Sequence, residues 1–91
     1  MLESSVERHF IRCVKERRGR CWKLKFLGVA GAPDRLVVFP GPRIYLVELK
    51  RPKGGHLSPL QARLHRVLRD LGWPPVLLRS KEEIDLWIEL S

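Results

Sequence analysis

The chain has 91 residues, 44% of them hydrophobic and three of them Trp, with a net charge of +8 and a pI of about 10.3. That length allows one domain, residues 1–91, around one modest core, and the apolar and Trp content excludes a disordered chain. No apolar run approaches the roughly 20 residues that span a bilayer, and "MLESSVERHF" lacks a charged-then-apolar leader pattern, so a cytoplasmic location is expected.

The charge is unevenly spread. Residues 81–91 carry one Lys and four acids, a net −3, whereas residues 1–80 carry 17 basic and 6 acidic residues, a net +11. Twelve of the 18 basic residues are Arg, whose planar fork suits phosphate. A polyanion is the natural partner, and nucleic acid is the first candidate. Cys13 and Cys21 fit neither a zinc spacing nor a disulfide framework. His9, His56 and His65 show no paired spacing, so no Cys–His metal site is expected.

In chain order, "SSVERHFIRCVKERRG" places Val6, Phe10, Cys13 and Val14 on one helical stripe, with Ser4 and Glu7 at capping-box spacing and Gly19 after the end. "CWKLKFLG" alternates and predicts a strand with Trp22, Leu24 and Phe26 on its buried face. "DRLVVFP" is a second strand, "GP" a turn, and "RIYLVELK" a third strand. After the basic loop "RPKGGHLS", Ser58 and Pro59 start a helix with Leu60, Leu64, Val67, Leu68 and Leu71 as its stripe and Gly72 at its end. "PPVLLRS" is a fourth strand, and "SKEEIDLWIELS" a last helix capped by Ser80 and Glu83. The order α-β-β-β-α-β-α predicts an α/β fold. Its mixed sheet has flanking helices, and the fourth strand joins in parallel after a helical crossover.

Side chains two apart on a strand share a face. Ile44, Leu46, Glu48 and Lys50 therefore point the same way, with Ile44 and Leu46 expected against the core. The "PGP" turn makes the second and third strands antiparallel neighbours, which brings Asp34 beside Glu48 with Lys50 close by. Two converging carboxylates repel, and a divalent cation such as Mg²⁺ resolves the repulsion. A hard cation within a basic surface points to metal-assisted phosphodiester hydrolysis.

These residues resemble the PD-(D/E)XK nuclease motif, as Pro33-Asp34 followed by Glu48-Leu49-Lys50. The element order is that of the superfamily's restriction-endonuclease-like core. "KRPKGGHLSPLQ", ending in Gln61, is similar to the stretch after the lysine in VRR-NUC domains, of the stand-alone kind known from phages and bacteria. The resemblance implies that Asp34, Glu48 and the backbone carbonyl of Leu49 bind Mg²⁺ or Mn²⁺. It makes Lys50 the residue that orients the attacking water and offsets charge on the phosphate. Glu7 would bind a second metal or a metal-bound water, and Gln61 would position Lys50 or the scissile phosphate. Each of these last two is also the third residue of a capping box, a role expected to compete with the site because the cap draws the side chain back to the backbone.

Arg51, Lys53, Gly54, Gly55 and His56 flank the site and are the candidate nucleic-acid contacts, with Arg17, Arg18 and Arg20 as a more distant basic turn. The family kind implies a structure-selective DNA endonuclease, acting on four-way junctions in a bacterial or phage-infected cytoplasm. One chain carries one such site and a junction needs two cuts, so a homodimer is expected. Trp73, Val76, Leu77, Trp87 and Ile88 would form its interface or else complete the core. The alternative is a non-catalytic nucleic-acid-binding module that retains a nuclease fold.

Overall fold

A computed structural model describes residues 4–51 and 55–91. Seven elements follow in the expected order: α1 (Ser5–Glu16), β1 (Arg20–Lys23), β2 (Arg35–Phe39), β3 (Arg43–Leu49), α2 (Pro59–Asp70), β4 (Val76–Leu78) and α3 (Lys81–Leu90). The sheet runs β1-β2-β3-β4. The first three strands are antiparallel neighbours, and β4 pairs in parallel with β3 because α2 carries the chain back to the same end. Each helix starts on a serine whose hydroxyl accepts a backbone N–H three residues on: Ser4 from Glu7, Ser58 from Gln61 and Ser80 from Glu83. Each such cap is worth about 1 kcal/mol.

The register sorts the strand residues onto two faces. Val37, Tyr45, Val47 and Leu78 lie on one, against α1 and α3. There Phe10 and Val14 from α1, Val37 and Phe39 from β2, Val47, Leu78, and Ile84 and Ile88 from α3 form the buried core. Trp87 stacks on Phe10 at 5.9 Å between centroids and meets Tyr45 edge-on at 5.4 Å. Trp87 and Ile88 thus complete the core of the chain itself and are not free to form an interface. Truncating a ring such as Phe10 to Ala would cost about 3–5 kcal/mol.

The other face carries Trp22, Leu36, Leu46 and Glu48. It was expected to be the core side, through Ile44 and Leu46, but Ile44 is 43% exposed while Val47 is fully buried. The reason is that "RIYLVEL" is apolar on both of its faces, and two helices rather than one cover the Tyr45/Val47 side. β1 also differs from expectation. It ends at Lys23, with Cys21 turned to the core and Trp22 half-exposed on the outer face. Val67, Leu71 and Trp73, in and after α2, are exposed as well.

Candidate active site

Asp34 stands immediately before β2, behind a fully buried Pro33. Its backbone carbonyl accepts the Leu24 N–H at 2.9 Å, and its Oδ2 accepts the Leu49 N–H at 2.9 Å. The head of β2 is thereby tied to the end of β3, as the antiparallel pairing requires. The preceding loop is pressed against the start of α2. Gly31, at φ +90°, leaves so little room that an added Cβ would stand 2.8 Å from the Leu60 carbonyl and 2.9 Å from the Gln61 N. Only glycine suits both that φ and that approach.

Glu48 is 1% exposed although it is a carboxylate. Burial pushes its carboxyl up to about 8, and the hydrogen bond and charge of Asp34 add to the rise, with Lys50 acting against it. Two acids held together in a low-dielectric place behave in this way when no cation shares them. Lys50 Nζ lies 3.9 Å from Glu48 Oε2 and donates to Gln61 Oε1 at 2.9 Å. The amide nitrogen of Gln61 in turn reaches Glu48 Oε2 at 3.4 Å. Asp34, Glu48, Lys50 and Gln61 therefore form one connected cluster.

Gln61 also completes its capping box, because the same Oε1 accepts the Ser58 N–H at 2.9 Å. The expected competition between cap and site does not occur: an amide oxygen has two lone pairs, and here each takes one donor. Glu7 behaves similarly. Its Oε1 takes the Ser4 N–H at 3.4 Å and its Oε2 takes the Arg35 guanidinium at 3.2 Å. Glu7, Lys23, Asp34, Arg35 and Leu49 line one cleft of about 330 Å³. Leu49 and Lys50, together with Arg51, Gly55 and His56, line a second of similar size. Gly55 rests on the Arg51 backbone, where a Cβ would come within 2.2 Å of the carbonyl oxygen. Lys53 and Gly54 lie outside the described residues. Of the basic turn, Arg18 and Arg20 line a larger groove of about 710 Å³ with Lys15 and the half-exposed Trp22.

His65 was missed by the sequence reading. It is 4% exposed, and its Nε2 lies 3.6 Å from Glu48 Oε1, with neither atom in a hydrogen bond. Burial lowers its pKa, and the nearby Arg69 and Lys50 charges lower it further, against Asp34. The signal in the sequence was its place four residues after Gln61, one turn along the same helix face.

The donor set suits a hard divalent cation. Two carboxylates meet beside the Leu49 backbone, and these are oxygen ligands of the kind Mg²⁺ and Mn²⁺ accept. The raised Glu48 carboxyl is the cost that a cation would relieve.

The restriction-endonuclease-like sheet brings two acids, a lysine and a glutamine together at its converging ends, as expected of a nuclease. The comparisons agree. The chain is 38% identical over 80 residues, 88% of its own length and 85% of the relative's, to "Putative nuclease p44" of Acyrthosiphon pisum secondary endosymbiont phage 1. Its fold matches a solved structure described as a VRR_NUC domain, with a TM-score of 0.85 and 30% identity over 91% of this chain and 89% of that one. No family model matches the sequence. The chain belongs to the VRR-NUC nucleases of the PD-(D/E)XK superfamily.

Proposed function

We propose that residues 1–91 act as one nuclease domain, a Mg²⁺- or Mn²⁺-dependent DNA endonuclease that hydrolyses phosphodiester bonds in branched, four-way DNA as a homodimer. The observation that carries the reading is the Asp34–Glu48–Lys50–Gln61 cluster, in which two acids share one buried place at the mouth of a basic surface. Asp34, Glu48 and the Leu49 carbonyl would hold the cation, which when bound would supply Lewis-acid activation of the phosphate and of water. Lys50, fixed by Gln61, presents its remaining N–H groups to the water and offsets negative charge as the phosphate becomes pentacovalent. One P–O bond forms to the water oxygen and one to a sugar oxygen breaks. Glu7, which lines the same cleft as Asp34, steadies that end of the sheet through Arg35 and would lie beside a cation held there. Gln61 donates to one oxygen of Glu48, and His65 lies 3.6 Å from the other. Arg51, Gly55 and His56, with Lys53 and Gly54, take the flanking phosphates, and the Arg18–Arg20 groove takes more distant ones.

Two supports favour the dimer. One chain has one such cluster and a Cα radius of gyration of 12.8 Å, too small to reach both cut sites of a junction. Ile44, Val67, Leu71 and Trp73 are between 43% and 71% exposed and suit burial against a second copy. The working place is the cytoplasm, bacterial or phage-infected. No helix among the described residues is long and apolar enough to cross a membrane.

The test is cleavage of single-stranded, duplex, flap and four-way DNA with and without Mg²⁺ or Mn²⁺. Metal-dependent nicking of opposed strands in the four-way substrate supports the proposal. Binding without cleavage under every condition would instead identify a non-catalytic module.

A further inference from the structure

His9 and Cys13 lie one turn apart on α1, and Asp85 approaches them from α3. His9 Nε2 is 2.7 Å from Asp85 Oδ1, Cys13 Sγ is 3.5 Å from His9 Nε2, and Cys13 Sγ is 4.0 Å from Asp85 Oδ1. A tetrahedral zinc-class ion, with bonds of about 2.0–2.3 Å, sets its ligand atoms about 3.3–3.6 Å apart. The N···S distance already fits. The other two distances need shifts of only about half an ångström, well within the reach of a side chain as exposed as Asp85. These three residues take no part in the hydrolytic cluster.

We infer that His9, Cys13 and Asp85 form a second metal site, distinct from the nuclease centre, for a borderline-soft divalent ion of the zinc class that ties α1 to α3. The ligand chemistry sets the class. A thiolate and an imidazole are poor ligands for Mg²⁺ or Mn²⁺ and good ones for Zn²⁺ or Co²⁺. One thiolate and one carboxylate balance the divalent charge, and water fills the fourth position on the open side. Asp85 and Glu16 put negative charge beside Cys13, opposed by the Arg12 and Arg17 guanidinium groups.

Arg12 is the competitor. Its Nη2 sits 2.9 Å from His9 Nδ1, which makes Nδ1 the acceptor and leaves Nε2–H to donate to Asp85 Oδ1. Metal on Nε2 requires the ring hydrogen at Nδ1, so Arg12 must swing away, and Glu16, 3.7 Å from its Nε, can hold it. The thiol proton of Cys13 leaves to solvent.

The experiment is a Co²⁺ titration of the untagged chain in an Asp34→Asn background, which removes a ligand of the nuclease centre. Absorption reports thiolate-to-cobalt charge transfer. One Co²⁺ per chain with that band is expected. The band should vanish in Cys13→Ser, persist in Cys21→Ser, and need at least tenfold more Co²⁺ in Asp85→Asn. Arg12→Ala should need less. Asp85 is exposed, so its variant should fold, and circular dichroism checks each one. Zn²⁺ should also raise the melting temperature of the background protein and leave that of Cys13→Ser unchanged. The absence of a thiolate band at millimolar Co²⁺, or a band retained in Cys13→Ser, would overturn the site.

Discussion

Lys50 Nζ and the Ser58 backbone N–H donate to the same oxygen of Gln61, each at 2.9 Å. The side chain that starts α2 is therefore also the one that aims the lysine, so the place of Lys50 depends on where α2 begins. The loop before Asp34, packed on the same first turn at Gly31, adds a second tie.

Two substitutions at Gln61 separate its jobs. Gln61→Ala removes the cap acceptor and the lysine's partner together, so it should lose about 1 kcal/mol of stability and at least tenfold in cleavage. Gln61→Glu keeps an acceptor for Ser58 and Lys50 but sets a third carboxylate beside Glu48. It should melt close to wild type and cleave poorly. Thermal denaturation with single-turnover cleavage checks both. Wild-type cleavage in Gln61→Glu would show that the amide donor to Glu48 does not matter.

The Glu48 carboxyl, up near 8 against an ordinary 4.5, has a consequence for pH. Between these values the metal-free folded chain holds a proton that the unfolded chain has lost. This contribution to stability is full below about 4.5 and is lost as pH rises through about 8. A cation has to expel the proton, so Mn²⁺ affinity should rise with pH across the window. At about pH 6.5 binding should release close to one proton per chain, falling toward none by about pH 9.5. Calorimetry in two buffers of different ionisation enthalpy counts the protons. Glu48→Gln should abolish the release along with most of the binding.

His65 and Glu48 leave two buried polar atoms facing each other at 3.6 Å. A ring hydrogen on Nε2 can close that gap and fix the Glu48 carboxyl. His65→Phe keeps a ring but removes the donor that Glu48 Oε1 could take, at about 0.5–1.5 kcal/mol in stability. It should weaken Mn²⁺ binding severalfold and cleavage at least tenfold, while His65→Gln, which restores a donor, should recover part of both. If His65→Phe cleaved like wild type while melting lower, the histidine would be a core residue only.

The exposed apolar residues give the dimer its own test. Light scattering at micromolar concentration should report about twice the 10.6 kDa chain mass. Leu71→Asp or Trp73→Lys, both at exposed positions, should halve that mass without unfolding the chain and should reduce paired nicking of a junction. A monomeric mass on and off DNA would remove the dimer and leave a general nuclease.

Much of this was legible in the chain because the determining relations are short. Ser4 with Glu7 and Ser58 with Gln61 announce helix starts, apolar runs stopped by Pro and Gly mark β2 and β3, and the "PGP" turn fixes which residues oppose each other. Asp34 and Glu48 follow from that pairing by parity alone. What the residues could not reveal depends on the third dimension. "RIYLVEL" offers an apolar series on each face, and only the docking of α1 and α3 decides that Val47 is buried and Ile44 is not. His9 and Asp85 are 76 residues apart and meet only because α3 packs on α1. The double use of Gln61 was hidden for another reason: a single amide oxygen satisfies two donors that a residue-by-residue reading sets in competition.

The central claim is that Asp34, Glu48 and Lys50 form a metal-dependent phosphodiesterase. The most direct measurement is single-turnover cleavage of a four-way DNA substrate by wild type, Asp34→Asn, Glu48→Gln and Lys50→Ala, with Mn²⁺ binding followed in parallel. Wild type should cut only with metal. The two carboxylate variants should lose both binding and cleavage while still holding DNA. Lys50→Ala should bind Mn²⁺ normally and cut orders of magnitude more slowly, because its charge acts mainly in the transition state. Cleavage by Lys50→Ala within about threefold of wild type, a barrier change of only about 0.7 kcal/mol, or wild-type Mn²⁺ affinity in both carboxylate variants, would contradict the account.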